Sequence, residues 1–518
     1  MVKLEISLKR VQTFIFEVPR LKAMLGANAL VGQTMRHELP KLLKRGSKLT
    51  LQTADDPLGH AVLDPSDRDD PIALYQRGIL ARDGGHFIVL FDTEENAKDF
   101  RAEAEEELVK KLPGVLYEAE IEPFPKPEDH QRQPRKPQET ALLDLPVLQV
   151  CQETGHGPAS KRNKKGYWQG DSVEHRLDWG DKFYSKSENG NGKTSDIIGL
   201  LRPELYPDRE MHWHEPKDLT DLAAGSYLAL IHADGNGIGK RYKDRQKKVS
   251  ENEPLAREAH GEAFFHSMRV AVRQSVVAAL RRTFTEPGGI RPYEILMLGG
   301  DDLLLACCAD QALDFARNYA EELQQYKLAD GEPLTVAIGV AIAQETYPVH
   351  RLHELAESLA SSAKRLYRAL PDLEKTSVID WQVVTQSWFA GVAEARKQSE
   401  RIQYQVNGCK ETLLLTGRPY RVLGDDSLDS LLMAARALDS TGDEANSAAR
   451  SPLRTLRSAC EHGRLMAEMS FARLPPPVRA QLSWCHGELW NAISDKCYLT
   501  RALDIVGLRE ISHLGKKP

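Results

Sequence analysis

Apolar and polar positions along the first 125 residues predict a unit with a βααββαβ-like order of elements. An alternating strand at residues 3–8 precedes a long segment, 11–43, whose apolar residues recur at helical spacing. Two apolar runs around a glycine pair then predict a β-hairpin at 78–91. An acidic helix at 94–111 and a strand at 115–122 complete the unit.

The same order recurs later in the chain, which indicates an internal duplication. A strand at 227–233 leads into a helix around 264–280, and a second hairpin at 296–305 follows. The remaining elements predicted for this copy are a helix that Asp310 caps, a strand at 334–342 and a helix at 353–370. The turn of the first hairpin holds no paired acids, whereas the turn of the second does.

These patterns predict an α/β (α+β) protein with two ferredoxin-like domains, an irregular linker and a helical C-terminal domain. The polar stretch between the copies is rich in proline and glycine, and the chain after residue 383 is rich in leucine, alanine and arginine. The predicted regions are 1–125, 126–218, 219–385 and 386–518. We call the first and third of these the first and second palm.

Composition narrows the class of protein without fixing its function. The chain has 518 residues, of which 41% are hydrophobic and 28% charged, and these values are ordinary for a globular protein. No apolar run approaches the ~20 residues that span a bilayer, so we expect no membrane association. Seven cysteines without a repeated spacing fit a reducing cytoplasm. The net charge of −6 does not favour nucleic-acid binding, and the basic clusters at 161–165 and 240–248 are interpreted as solvated surface.

The most informative chemistry is the Gly-Gly-Asp-Asp turn of the second hairpin. Its Asp301 and Asp302 repel each other unless a cation neutralises them, and Mg²⁺ prefers carboxylate oxygens. Upstream, Asp234 ends an apolar strand. A strand-end aspartate beside a hairpin that carries two more is the palm layout of nucleotidyl-transferring enzymes, in which metals act on a hydroxyl and a triphosphate. The alternative interpretation is a polar hairpin turn, a common use of Gly and Asp.

Residues near these aspartates are candidates for binding a nucleotide. Gly235, Asn236 and Gly237 follow the strand-end aspartate, and glycines let backbone N–H groups approach phosphate oxygens. The alternative is a plain loop between strand and helix. Lys240 could reach a phosphate or be a solvated lysine. Lys364, on the last helix of this copy, suits a triphosphate as a point charge or is an exposed helical lysine.

At these residues the chain resembles the large, polymerase-like subunit of type III CRISPR effector complexes, the Cas-ten family. The resemblance extends over nearly the whole chain and is most specific in the second palm. The segments that carry it are 12–15 and 25–32 in the first palm, 151–159 in the linker, and 234–237, 299–302 and 376–381 in the second palm.

This resemblance implies that the second palm joins ATP molecules into cyclic oligoadenylates in antiviral defence, with Mg²⁺ or Mn²⁺ as the cofactor. Asp234, Asp301 and Asp302 would bind the metal ions, and Gly299, Gly300 and Lys364 would lie near the triphosphate. The expected partners are ATP, other effector subunits, and guide or target RNA; the oligomeric state stays open. The first palm would be catalytically degenerate.

Two differences from the family limit which of its properties are expected of this chain. No His-Asp dipeptide occurs in the sequence, so this is expected to be a short form without the HD nuclease domain. The segment 151–159 resembles a zinc-ribbon half-site but holds one cysteine and one histidine, which cannot saturate tetrahedral zinc.

Two other functions stay open from the sequence. The first is a diguanylate-cyclase-like enzyme, because Gly-Gly-Asp-Asp is close to that family's Gly-Gly-Asp-Glu turn. The second is a non-catalytic scaffold subunit of an RNA-guided complex, which would not need a metal site.

Overall fold

The structure is a computed structural model that carries side chains. It describes residues 1–44, 74–125, 149–155, 157–184, 196–223, 226–249, 253–384, 394, 396, 400–406, 409–440, 450–483 and 487–514. The fold is mixed α/β, as the sequence predicts, and its strands form four sheets within this part of the chain.

The first palm is a four-stranded antiparallel sheet with helices packed against it. The strands lie in the order β2-β3-β1-β4. The acidic helix α4 begins where the sequence predicts, because the Thr93 hydroxyl accepts a hydrogen bond from the Asn96 N–H and acids occupy its first turn. The elements are β1 (Val2–Lys9), α1 (Val11–Phe16), α2 (Leu21–Gln33), a π-helical turn (Thr34–Glu38), α3 (Leu39–Leu42), β2 (Ile79–Ala81), β3 (His86–Phe91), α4 (Glu94–Lys111) and β4 (Leu116–Pro123).

The segment between the palms is not wholly irregular, because a helix in it docks on the first palm. This helix, α5, meets α2 at two glycines: a Cβ on Gly26 would lie 1.8 Å from the Arg176 carbonyl oxygen, and one on Gly180 would lie 2.2 Å from that of Lys22. The two backbones can approach this closely only where side chains are missing. The elements are β5 (Lys161–Arg162), β6 (Trp168–Gln169), α5 (Asp171–Tyr184), α6 (Ile197–Leu200), α7 (Arg202–Leu205), α8 (Asp208–Met211) and α9 (Leu219–Ala223).

The second palm repeats the topology of the first and extends it. Its sheet has the order β14-β11-β10-β7-β9-β8, in which β14 is the short strand Tyr420–Arg421. Within it, β8-β9-β7-β10 has the same order and the same antiparallel pairing as the first sheet. The predicted duplication is therefore present in the fold. The elements are β7 (Tyr227–Gly235), α10 (Ile238–Gln246), α11 (Pro254–Thr283), β8 (Tyr293–Gly299), β9 (Asp302–Cys308), α12 (Ala312–Leu323), β10 (Val336–Gln344), α13 (Val349–Ala369) and β11 (Val378–Val384).

Strands β7 and β10 form the buried centre of this sheet. Nearly every residue of both is buried, so they are continuous apolar runs rather than alternating ones. Helix α13 lies directly on β10, where a Cβ on Gly339 would come within 2.1 Å of the Ala356 carbonyl oxygen. Asp310 does not cap α12, because it lies in a 3₁₀ turn and Gln311 occupies the N-cap position without a side-chain bond.

The C-terminal region contains the expected helices and also a sheet that the sequence did not predict. Strands β12, β13, β16 and β15 form it in that order, with β13 and β16 parallel. Over the described ranges, no helix is long and apolar enough to cross a membrane. The elements are β12 (Arg401–Val406), β13 (Cys409–Leu414), β14 (Tyr420–Arg421), α14 (Leu428–Ser440), α15 (Arg450–Glu461), α16 (Arg464–Ala472), α17 (Pro476–Leu482), β15 (Asn491–Ser494), β16 (Cys497–Leu499) and α18 (Ala502–Ile511).

Candidate metal and nucleotide site

Three predicted acids meet at one edge of the second palm. Asp234 lies near the end of the central strand β7, where it pairs with Ala337 of β10. Gly300 and Asp301 form the turn of the β8–β9 hairpin, and Asp302 begins β9, where it pairs with Gly299. Because β9 is the other neighbour of β7, the hairpin tip comes to lie beside Asp234.

The three carboxylates are close enough to share a cation. One oxygen of each side chain lies within 4.8 Å of the corresponding oxygens of the other two. Among the described residues, these three form the only group of three or more potential metal ligands that meet in this way. All three side chains are partly buried, and oxygen ligands of this kind suit Mg²⁺ or Mn²⁺.

The electrostatics of the cluster indicate negative charge that is incompletely neutralised. Burial, followed by the charges of Asp301 and Asp234, raises the pKa of Asp302 to about 8. Burial and the charge of Asp234 also raise the pKa of Asp301. Carboxylates that repel one another in a partly buried place are stabilised as anions when a divalent cation binds between them. The donor set therefore fits a divalent metal ion.

Among the described residues, Lys364 is the cation that forms an ion pair with this cluster. It extends from α13, and its ammonium group donates a hydrogen bond to the Asp234 carboxylate in an ion pair. The pair is partly exposed, with 24% of the lysine side chain and 30% of the aspartate side chain accessible. One lysine balances one of three acids, so the predicted lysine lies at the site without neutralising it.

Gly235 has a steric role that the sequence did not reveal. A Cβ at this position would lie 2.7 Å from the Asp301 Cβ and 2.8 Å from one of its carboxylate oxygens, which is closer than such atoms ordinarily approach. The missing side chain is therefore what lets the hairpin tip lie against the end of β7. Gly237 and Gly300 have positive φ angles of 69° and 39°, which glycine adopts without strain.

The other predicted residues are less directly engaged. Asn236 is buried, and its backbone N–H donates to the Thr335 carbonyl at 2.8 Å, so it joins the end of β7 to the segment before β10. Gly299 has open space around the position of a Cβ. Lys240 is exposed on α10. Its charge acts on Asp372, whose pKa is lowered first by a hydrogen bond from Lys375 and then by nearby positive charge that includes Lys240.

A buried tyrosine near enough for the charges of two of the acids to raise its pKa was missed as a neighbour of the site. Tyr319 on α12 is fully buried, and its hydroxyl has no hydrogen-bond partner among the described residues. Burial, followed by the charges of Asp301 and Asp302, raises its pKa well above the usual range. No sequence pattern relates the face of α12 that carries Tyr319 to the acids.

The half-site around Cys151 lacks the ligands for zinc in the part of the chain that the structure describes. Cys151 is buried and belongs to no group of three potential ligands there, and His156 lies outside the described residues. Burial alone would raise the pKa of the thiol, but hydrogen bonds from the Thr154 side chain and from backbone N–H groups lower it. The Cys151 sulfur therefore accepts hydrogen bonds within this turn.

Comparisons with known proteins agree with the geometry. Residues 227–369 match the family model described as "Cas10/Cmr2, second palm domain", which confirms over this domain the resemblance stated from the sequence. No curated protein matches the chain.

Among solved structures, the chain is similar in fold to Csm1 of Csm1–Csm4 cassettes. The similarity to the cassette in complex with cA3 has a TM-score of 0.53 at 13% identity and covers 100% of this chain and 70% of that one. The cassette in complex with AMPPNP gives a TM-score of 0.52 at 13% identity, with the same coverage. The alignment with the cassette bound to cA4 covers 70% of this chain and only 53% of the other, with 14% identity and a TM-score of 0.39.

Proposed function

We propose that this chain is a Cas10-like nucleotidyltransferase whose second palm joins ATP molecules into cyclic oligoadenylate-type second messengers. The observation that carries the proposal is the convergence of three carboxylates, one oxygen of each within 4.8 Å of the others, in a domain that matches the Cas10/Cmr2 second palm. We take residues 219–385 as the catalytic domain and residues 1–125 as its degenerate copy.

Asp234, Asp301 and Asp302 would hold the divalent metal ions. Bound Mg²⁺ would lower the pKa of an attacking ribose hydroxyl and neutralise charge on the leaving pyrophosphate. The raised pKa values of Asp301 and Asp302 support this assignment, because they indicate a cluster short of positive charge. The ion pair with Asp234 holds the Lys364 ammonium at the cluster, where it would approach the triphosphate of a bound nucleotide.

The backbone after β7 would bind the phosphates. Gly237 takes a left-handed conformation at the N-cap of α10, and the first N–H groups of a helix are donors suited to phosphate oxygens. Asn236 would support this loop indirectly, because its hydrogen bond to Thr335 fixes the end of β7. Lys240, exposed in the first turn of α10, is assigned to the outer phosphates.

ATP as the substrate is supported by the similarity in fold to Csm1, which has been solved with AMPPNP and with cA3. We also propose a partner subunit related to Csm4, because those structures are Csm1–Csm4 cassettes. Guide or target RNA as an activator is part of the same proposal.

The test is incubation of the purified chain with ATP and either Mg²⁺ or Mn²⁺, with and without RNA, followed by mass spectrometry of the products. The double variant Asp301→Asn with Asp302→Asn keeps the shape of both side chains and removes their charge. The matched control is Asp99→Asn, an exposed acid on α4 of the first palm.

We expect adenylate products from the parent protein and from the control, and none from the double variant. Equal turnover by the double variant would overturn the site assignment. Products from GTP in place of ATP would instead identify a diguanylate-cyclase-like enzyme. Absence of any product, with or without a Csm4-like subunit, would favour the scaffold function.

A further inference from the structure

The short hairpin of β5 and β6 concentrates positive charge on one exposed feature. Its four cations, Lys161, Arg162, Lys164 and Lys165, lie within five residues, and no acid occurs from residue 159 to residue 170. We call residues 161–169 the basic hairpin. In a chain whose net charge is −6, this local excess stands apart from the average surface.

The two lysines at the tip of the basic hairpin form no ion pairs within the described residues. Lys161 forms an ion pair with Glu174 on α5, but Lys164 and Lys165 are exposed and form no ion pair with any residue the structure describes. The Arg162 guanidinium lies over the Trp168 ring, 4.6 Å from its centroid. This contact holds the arginine by a cation–π interaction, which does not itself neutralise the charge.

The tip also carries an aromatic ring that does not serve the protein core. Tyr167 follows the turn and is 52% exposed. Bases of single-stranded nucleic acid stack on such rings while lysines contact their phosphates.

The hairpin is held rigid, so its side chains are already arranged. The Asn163 side-chain oxygen accepts hydrogen bonds from the backbone N–H groups of Lys165 and Tyr167, at 2.9 and 3.0 Å. At the base, the Gln152 side chain accepts from the Trp168 N–H at 2.7 Å, and the Gln152 N–H donates to the Trp168 carbonyl at 2.8 Å. A platform fixed in this way loses little conformational freedom when it binds.

We propose that the basic hairpin is a binding site for single-stranded nucleic acid. Lys164 and Lys165 contact phosphates, and Tyr167 stacks on a base. The combination favours a nucleic acid over an anionic membrane, since the lysines would serve either surface but a rigid two-stranded turn offers no broad apolar face to insert in lipid. The basic hairpin shares no residue with the acidic cluster, and the proposal does not depend on nucleotide turnover.

The test measures binding of the full chain to a fluorescein-labelled 20-nucleotide single-stranded RNA by anisotropy, across a series of KCl concentrations. The variants are Lys164→Ala with Lys165→Ala, Tyr167→Ala and Tyr167→Phe. Loss of two phosphate contacts should weaken binding and reduce the slope of log K against log salt by about 1.4. Tyr167→Ala should weaken binding by about fivefold or more at an unchanged slope, whereas Tyr167→Phe keeps the ring and the affinity.

The matched control removes two other exposed lysines, Lys98 and Lys110 on α4, and makes the same change in net charge. Its affinity should stay within twofold of the parent protein. A single-stranded DNA of the same sequence tells whether the 2′-hydroxyl contributes, and either outcome of that arm supports a single-strand site. The proposal fails if the hairpin variants bind RNA as the control does. It also fails if duplex RNA or phosphatidylserine vesicles bind the chain as well as the single strand and lose as much affinity in those variants.

Discussion

Replacing Gly235 by alanine tests whether the packing of Asp301 against the end of β7 sets the geometry of the acidic cluster. The new Cβ would lie 2.7 Å from the Asp301 Cβ, 2.8 Å from its carboxylate oxygen and 2.9 Å from Ile238. Gly235 has no positive φ angle, so alanine adds no strain to the backbone conformation. The perturbation is therefore purely steric and is directed at one carboxylate.

The expected magnitude follows from the distances. Ordinary contact begins at 3.4 Å, so Asp301 must retreat by about 0.7 Å. The contact is with the Cβ as well as with the carboxylate, so rotation of the Asp301 side chain cannot relieve it and the hairpin tip must move. A displacement approaching 1 Å at a catalytic group costs about 100-fold in rate. Overpacking of this kind lowers the free energy of unfolding by about 1–3 kcal/mol.

The assay is the steady-state rate of oligoadenylate formation, with Mn²⁺ affinity from electron paramagnetic resonance and urea unfolding measured on the same samples. Gly507→Ala is the matched control, because it lies on α18, outside the proposed site, and has no atom within 4 Å of the added Cβ. We expect the control to keep its rate and the Gly235 variant to lose both rate and metal affinity while remaining folded. If the two variants turn over within threefold of each other, the close packing of Asp301 does not control the site.

Four further outcomes are expected. Lys364→Met should lower the rate about 100-fold by removing the cation at the cluster, whereas Arg365→Met, an exposed neighbour on the same helix, should not; equal rates would refute the role of Lys364. Asp302→Asn should weaken Mn²⁺ binding by about tenfold or more in the same resonance assay, and unchanged affinity would remove it from the ligand set. Gly339→Ala should lower the free energy of unfolding in urea by about 1–3 kcal/mol, because its Cβ would overlap α13, and an unaffected midpoint would contradict this close approach. Burial lowers the pKa of His353 to about 4 from about 6.5, so the unfolded state binds the proton first and stability falls as pH drops through this range. His353→Phe should therefore remove about 2 kcal/mol of the stability lost between pH 7 and pH 5, and an unchanged pH profile would show that His353 is not the titrating group.

Much of the fold was predictable because it repeats. The hairpins, the acidic helix 94–111 and the strand ending at Asp234 follow from local apolar spacing, and the observed elements begin and end within a few residues of those predictions. The repeated order of elements then gave the topology of both palms, since β8-β9-β7-β10 repeats β2-β3-β1-β4. The proximity of Asp301 and Asp302 to Asp234 followed from that topology alone.

What the sequence did not supply depends on contacts between distant segments. The sheet of β12, β13, β16 and β15 joins strands from both ends of the tail, and its short strands have no clear alternation. The steric roles of Gly235 and Gly339 depend on what lies opposite each of them. The influence of Asp301 and Asp302 on Tyr319 likewise depends on the three-dimensional packing of α12.

The close packing of α2 against α5 at Gly26 and Gly180 affects where the chain can be divided into separately expressed fragments. A fragment that ends at residue 125 would lack α5. It would expose to solvent the surface of α2, around Gly26, against which α5 packs. A fragment that continues through Tyr184 keeps that surface covered, whereas α6, from Ile197 onward, contacts β8 of the second palm as well as α2. Separate expression of the two halves should therefore divide the chain between residues 184 and 197, well beyond the boundary that composition indicates.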